Sequence, residues 1–338
     1  MAAIRIPYEK LVQTFTAILL DHKFNTRRAE LCATLFAKAS LDGVASHGLN
    51  RFPHFLDMIK AGYVDPAAEP GLLDAYGSFE RWDGRLGPGN LNAYHCMNRA
   101  IELARDGGMG CIALRNTNHW MRGGNFGWQA VENGCIGVCF TNTTPNMPAW
   151  GGSEAVLGNN PLVVAVPREE GPVVLDMALS QFSYGKISTY LREQRQLPFD
   201  GGFDSEGNLT KDPASILQEE LALPIGLWKG AGLSLMLDIL AALLSDGNPT
   251  CRIGELEEEY AISQVFLCFY LPKLGITRQD EMLDKIIENL KSSSVFGAAE
   301  VRYPGEQTLA NRRENRKKGV PVDQLIWEKV LKMQGHAG

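Results

Sequence analysis

Between Met109 and Phe140 the chain alternates in a way that restricts its fold more than any other stretch. An apolar run, Met109 to Arg115, precedes a short helical segment, Trp128 to Asn133, and a second apolar run, Cys135 to Phe140. Gly107-Gly108 and Gly134 punctuate the helices, as residues that tolerate positive φ do at helix ends. Strand, helix, strand reads as an α/β sheet with the two strands as parallel neighbours. Leu162 to Val166 and Val173 to Ala178, rich in β-branched residues, read as two further buried strands. Upstream, Asn90 is placed to cap a helix through Ala93, Met97, Ile101 and Leu103. The first two strands run out into polar loops, Asn116-Thr117-Asn118 and Thr141-Asn142-Thr143-Thr144, which together would line one cleft.

The chain before this core is helical. Leu11, Phe15, Ile18 and Leu19 recur at helical spacing, a second helix covers about Thr26 to Leu41, and a third follows Pro53 and stops at Gly62. The second and third helices frame Ser46-His47-Gly48-Leu49-Asn50-Arg51. Arg51 offers a planar fork of donors matched to a carboxylate, Ser46 a hydroxyl for a substrate or cofactor oxygen, and Gly48 a backbone open to close approach by a ligand. His47, with an unperturbed pKa near neutrality, can give or take the proton when C=O and CH–OH interconvert. The other reading makes His47 a capping residue at a helix-to-helix turn and Arg51 a solvated cation. His119, in Asn118-His119-Trp120-Met121-Arg122-Gly123-Gly124, stands beyond a strand end, as a site residue or as a loop histidine bonded to backbone.

Elsewhere the signals are weaker. No strand is followed by the full G-x-G-x-x-G dinucleotide fingerprint. Lys229-Gly230-Ala231-Gly232 before the helix Leu233 to Leu244 would serve either a pyrophosphate or close helix packing. Asp176 would orient a histidine, accept a hydrogen bond from a cofactor, or merely cap. From about Thr189 to Ala214 the chain is polar and rich in Gly, Asp and Pro, which reads as a long functional excursion because apolar patterning resumes on both sides.

Composition excludes several classes. A chain of 338 residues, 45% apolar, can bury a sizeable core and suggests about two domains. A net charge of −6 gives no basic footprint for nucleic acid or an anionic membrane, and the run Arg312 to Lys318 reads as a solvated face or as the charge at a helix C-terminus. The seven cysteines lack a C-x-x-C pair and lie mostly in apolar runs, as reduced, buried thiols do. No metal-ligand spacing is present, so no metal is expected. The amino terminus has no apolar leader, and Leu233 to Leu244, interrupted by Asp238, is short for a bilayer span, so a cytoplasmic location is expected.

Ser46-His47-Gly48 with Arg51, Asn116-Thr117-Asn118-His119, Gly158-Asn159-Asn160-Pro161 and Pro304-Gly305-Glu306 together resemble the malate/L-lactate dehydrogenase family of the non-Rossmann type, in order and over essentially the whole chain. The resemblance implies an α/β oxidoreductase with a non-Rossmann mixed-sheet nicotinamide-binding core, 76–299. A helical region, 1–75, carrying Ser46, His47 and Arg51, would join with the segment 300–338 as a second, substrate and dimerisation region. It implies NAD as cofactor, NADH preferred and NADP possible, held by Pro172, Val173, Val174, Leu175, Asp176, Met177 and Ala178, by Trp228 and Lys229, and by Gly305, Glu306 and Gln307. It makes His47 the acid/base, places Ser46, Arg51 and His119 in the same pocket, and implies a homodimer. Arg122 and Asn118 are expected to bind the substrate, since a cation beside the Asn-His loop suits a polar 2-oxo sugar acid better than a small apolar oxo acid. A malate- or lactate-type 2-hydroxy acid, a cyclic imine acid, or an inactive sugar-acid-binding protein are the alternatives.

Overall fold

The computed structural model describes residues 3–297 and 300–335. Met1, Ala2 and the last three residues of the carboxyl-terminal segment lie outside them. The centre is a seven-stranded sheet in the order Gly71–Tyr76, Phe79–Asp83, Met109–Thr117, Ile262–Tyr270, Cys135–Thr141, Leu162–Val166, Val173–Met177. The expectation of parallel neighbours fails here. Ile262–Tyr270 inserts between Met109–Thr117 and Cys135–Thr141 and runs antiparallel to both. Within this sheet only Phe79–Asp83 and Met109–Thr117 pair in parallel, so the sheet is mixed and not doubly wound. The first strand begins at Gly71, so a division at 75/76 would cut it.

Strand alternation decides which helix covers which face. Ile112, Leu114, Phe266 and Cys268 point toward the helices Gly89–Gly107 and Gly124–Glu132, where they meet Cys96, Met97, Phe126 and Ala130. Ala113, Val265 and Phe140 point the other way, toward Leu237 and Ala241 of the helix Trp228–Ser245. That helix, 18 residues long with a mean hydropathy of 1.3, is longer than the apolar stretch read from the sequence and meets the length and composition of a membrane span. One side of it packs on the sheet, and Asp238 accepts from Asn142 Nδ2 at 2.9 Å and Thr250 N–H at 2.8 Å.

A separate core joins the amino-terminal helices to the end of the chain. Phe15, Phe36, Phe52 and Phe55 pack together, with Phe15 and Phe52 stacked at 4.3 Å. Val320, Val322, Trp327 and Val330 close this core, and the strand Val320–Asp323 pairs antiparallel with Ala3–Ile6. The helices Tyr8–Asp21, Thr26–Leu41 and Phe52–Lys60 follow the apolar spacing.

Three local readings change. The helix expected from Asn90 starts at Gly89, where a Cβ would fall 2.0 Å from the Asn118 carbonyl oxygen; Asn90 is buried in the first turn, its Oδ1 accepting the Leu91 N–H. The polar excursion is ordered as the helix Tyr184–Arg192, a hairpin of Gly202–Phe203 with Leu209–Thr210, and the helix Pro213–Glu219. All seven cysteines are free, but Cys251 is exposed and Cys111 half-buried.

Candidate active site

Ser46 and His47 occupy one 3-10 turn, Ala45–His47, laid directly on the preceding helix. Gly48 makes that possible. A Cβ at Gly48 would fall 2.1 Å from Ser40 Oγ and 2.9 Å from the Phe36 carbonyl oxygen, so its smallness serves helix packing, not the approach of a ligand. Ser40 Oγ in turn accepts the Leu49 N–H at 2.9 Å, which fixes the turn. Ser46 Oγ lies 3.0 Å from His47 Nδ1, leaving Nε2 to exchange a proton with a substrate. Gly185 stands against the other side of Ser46, where a Cβ would come within 2.6 Å of the serine Cβ. Arg51 closes the turn as the residue before the helix Phe52–Lys60.

His119 arrives from beyond the strand Met109–Thr117, and its ring lies 5.8 Å from that of His47 with the planes 18° apart. Met121 N–H donates to His119 Nδ1 at 2.9 Å, which puts the ring proton on Nε2 in the neutral tautomer. Ser46, His47, Arg51, His119, Arg122 and Asp176 line one cavity of about 340 Å³, closed by Thr143, Asn146, Asn159, Tyr184 and Glu259. Asn118 does not line it. That side chain is buried behind the loop, its amide donating to the carbonyls of Tyr63, Leu86 and Gly87, so it shapes the backbone and lies outside the cavity in which it was expected to meet the substrate. Arg122 lines the wall, but its side chain is only 3% exposed and its guanidinium sits between Asp42 and Asp176. Two carboxylates thus flank the charge expected to meet the substrate.

Asp42 was not singled out from the sequence, where it is one acid at a helix end. Its fully buried carboxylate pairs with Arg122 and accepts Arg312 Nε and Nη2, each at 2.7 Å. Arg312 also lies over the Trp128 ring at 4.3 Å, so one residue of the supposed solvated basic run is half-buried and ion-paired. Glu259 was likewise hidden in an acidic run. Its Oε2 accepts the Thr144 N–H at 3.0 Å.

Burial dominates the electrostatics of the pocket. It pushes His47 down to about 4, with Asp176 pulling upward and Arg51 and Arg122 adding to the depression. Burial also holds His119 well below its usual range, reinforced by Arg51 and His47. Both rings are therefore neutral at neutral pH. Burial lowers Arg51 against the pull of Glu259 and Glu258, and raises Glu259 against the Thr144 N–H and Arg51. Arg51 stays charged, and no carboxylate closes an ion pair with it among the described residues.

A second cavity, of about 390 Å³, shares Arg122 and Asp176 with the first and continues along Val174, Leu175, Tyr303, Pro304, Gly305 and Thr308. Gly305, at φ +97°, precedes the 13-residue helix Glu306–Lys318, and a Cβ there would meet Val174 N at 3.0 Å. The start of a helix with no side chain in front of it is a cradle for a phosphate group, so the residues fit a dinucleotide running from this groove to the histidine pair. Of the expected cofactor residues, Val174, Leu175, Asp176, Ala178 and Gly305 line these two cavities. Pro172 backs Gly305, and Met177 packs toward the core. Glu306 pairs with Lys291 and Gln307 with Arg302. Val173, Glu306, Gln307, Trp228 and Lys229 line neither cavity; the last two begin the helix on the far face of the sheet. Gly230 in that helix packs against the Ile225 backbone, where a Cβ would fall 2.1 Å from its carbonyl oxygen, which favours close packing over a pyrophosphate site.

Residues 6–331 match the malate/L-lactate dehydrogenase family. The chain is 44% identical over 331 residues to a 2,3-diketo-L-gulonate reductase of Escherichia coli strain 536, covering 97% of this chain and 99% of that protein. It is 43% identical over 332 residues, with the same coverage, to a protein of that name from Citrobacter koseri. Its fold superposes on a malate dehydrogenase from Pyrococcus horikoshii with a TM-score of 0.90, at 28% identity and covering 99% of this chain and 96% of the other. A malate dehydrogenase from Entamoeba histolytica shares the fold at a TM-score of 0.94 and 23% identity, over 99% and 98% of the two chains. The resemblance carried by the sequence motifs is thus confirmed, and the chain belongs to the malate/L-lactate dehydrogenase family of oxidoreductases.

Proposed function

We propose that this chain is an NADH-dependent reductase of a 2-oxo sugar acid, converting 2,3-diketo-L-gulonate to 3-keto-L-gulonate. The observation that carries the chemistry is an unpaired, half-buried guanidinium, Arg51, opening on the same cavity as two neutral histidines. The names of the relatives at 43–44% identity support the substrate. Arg51 grips the carboxylate in a bidentate fork. His119, carrying its proton on Nε2, donates to the keto oxygen and stabilises the charge that builds there. With the substrate carboxylate offsetting the Arg51 charge, His47 takes up a proton from solvent; Asp176, held by Arg122, favours that imidazolium, and the ring passes the proton to the oxygen to complete the hydroxyl. A bound reduced nicotinamide supplies the hydride, with Val174, Leu175, Asp176, Ala178 and the helix start at Gly305 as the residues that would hold it.

The test is an absorbance assay with NADH and NADPH in parallel, comparing 2,3-diketo-L-gulonate with pyruvate and oxaloacetate. The highest specificity constant is expected for the diketo acid with NADH; no turnover of any 2-oxo acid would refute the assignment. Arg51→Lys loses the fork, so the KM for the oxo acid should rise about tenfold, the order of one charge-assisted hydrogen bond. The KM for NADH should stay close to wild type. A rise in the NADH constant alone would give Arg51 to the cofactor instead.

The assembly we infer is a homodimer. Leu233, Leu235, Met236, Ile239, Leu240 and Leu243 stand exposed along the helix Trp228–Ser245, a contiguous apolar face of the kind that marks a protein interface. Trp228 and Lys229 begin this helix, so a dimer closed on that face would bring them to the interface, where a shared site could use them. Activity should therefore fall on dilution together with the dimer measured by light scattering. Leu243→Glu, at a side chain 74% exposed in the single chain, should give monomers. Fully active monomers would contradict a shared site.

A further inference from the structure

The active-site cavity contains two ionic groups of opposite sign that feel each other's charge but close no ion pair among the described residues. Arg51 is one and Glu259 is the other. The cation holds the substrate carboxylate, and the anion has no part in that contact.

Glu259 lies in the irregular segment between the short helix Thr250–Ile253 and the central strand Ile262–Tyr270. It follows Glu257 and Glu258, both exposed, but its own side chain turns inward. The turn is pinned on both sides. Tyr260 stacks on Tyr63 with ring centroids 4.9 Å apart, and the Tyr63 hydroxyl donates to Glu257 at 2.8 Å. One Glu259 oxygen is fixed by the Thr144 N–H at 3.0 Å. No lysine, arginine or histidine pairs with it among the described residues, so the other oxygen is an acceptor open to the cavity.

We propose that Glu259 is the residue that selects the tail of the substrate: it accepts a hydroxyl of a polyol chain and turns away a second carboxylate. This inference rests on the reading of the site as a 2-oxo acid reductase and names what lies beyond the oxo group. An oxo acid places one carboxylate on Arg51. A hydroxylated tail then donates to Glu259, whereas a dicarboxylate sets a second negative charge against Glu259, whose own countercharge across the cavity, Arg51, is already engaged by the first carboxylate. Like charges brought together in a partly dry pocket are a strong device for rejecting the wrong partner. Asn159 and the Asn146 segment, tied to Thr143 and Tyr184, add neutral polar groups to the same wall.

The test compares two 2-oxo acids that differ only at the far end, 4-hydroxy-2-oxobutanoate and oxaloacetate, each measured relative to pyruvate in NADH-dependent reduction. The wild-type protein should prefer the hydroxy acid. Glu259→Gln keeps the size and a carbonyl acceptor for the Thr144 N–H but removes the charge. It should shift the ratio of specificity constants toward oxaloacetate by about tenfold or more, the scale at which pocket contacts discriminate substrates. An unchanged ratio overturns the inference, and a purely structural role would lower all three substrates by one factor. Should the variant fail to fold, the wild-type ratio decides: oxaloacetate reduced as well as the hydroxy acid overturns it. Absence of wild-type turnover with every oxo acid, including 2,3-diketo-L-gulonate, is a different failure and removes the reductase reading itself.

Discussion

His47→Asn should lower turnover by roughly 10²-fold or more, the usual loss when a general acid/base is removed. Cofactor binding, followed by nicotinamide fluorescence, should stay close to wild type, because the groove along Val174 and Gly305 does not include the ring. The pH dependence of the wild-type protein gives the same group a second signature. Burial brings His47 down to about 4, and Arg51 adds to that depression. Reduction consumes a proton, so kcat/KM, which reports the free enzyme, falls as pH rises through this low value. A substrate carboxylate on Arg51 cancels the guanidinium field, and His47 in the complex then titrates higher. The kcat profile should break at the higher pH of the two. The reverse order, or wild-type turnover in the asparagine variant, would take His47 out of the mechanism.

What could be read from the chain is what local spacing controls. The helices around Ser46 and His47 follow from apolar periodicity, and the imidazole, hydroxyl and guanidinium within Ser46 to Arg51 follow from their own spacing. The strands Leu162–Val166 and Val173–Met177 were legible for a related reason: β-branched runs have few alternatives. The place of Ile262–Tyr270 was not. Its partners lie far away in sequence, and a helix between two strands argues for direct neighbours until a third strand is found to separate them.

The site was half legible for the same physical reason. Histidines and arginines announce chemistry by type, but whether a charge meets substrate or another charge depends on residues brought together only by folding. Arg122 reads as an open cation until Asp42 and Asp176 are found on either side of it. Asn118 reads as a donor for substrate until three backbone carbonyls occupy its amide. Glu259 reads as one of several solvated acids, and only the Thr144 N–H and the Tyr63–Tyr260 stack show that it faces inward.

Asp42→Asn should be the most destabilising of the changes considered. The carboxylate is fully buried and bridges two guanidiniums, Arg122 from the loop that carries His119 and Arg312 from the helix Glu306–Lys318. It thereby ties the helical core, the sheet and the end of the chain to one point. Burial alone would raise this carboxyl, but the hydrogen bonds and charges of Arg312 and Arg122 outweigh it and hold the group below its ordinary range. Removing one member of a buried ion pair leaves the other charges uncompensated, at a cost of about 3–5 kcal/mol. Urea unfolding of the two proteins at neutral pH should show a difference of that order. The sign of its pH dependence follows from the depressed native value. The stabilisation is complete above the unfolded carboxylate range, near ~3.9, and is lost as pH falls through the lower value in the folded protein. The gap between wild type and variant should accordingly close on acidification. Catalysis should suffer with stability, since Arg122 without Asp42 no longer holds Asp176 in one place beside His47. A variant within about 0.5 kcal/mol of wild type, the range of an ordinary surface substitution, would show that the three-way ion pair contributes little to the fold.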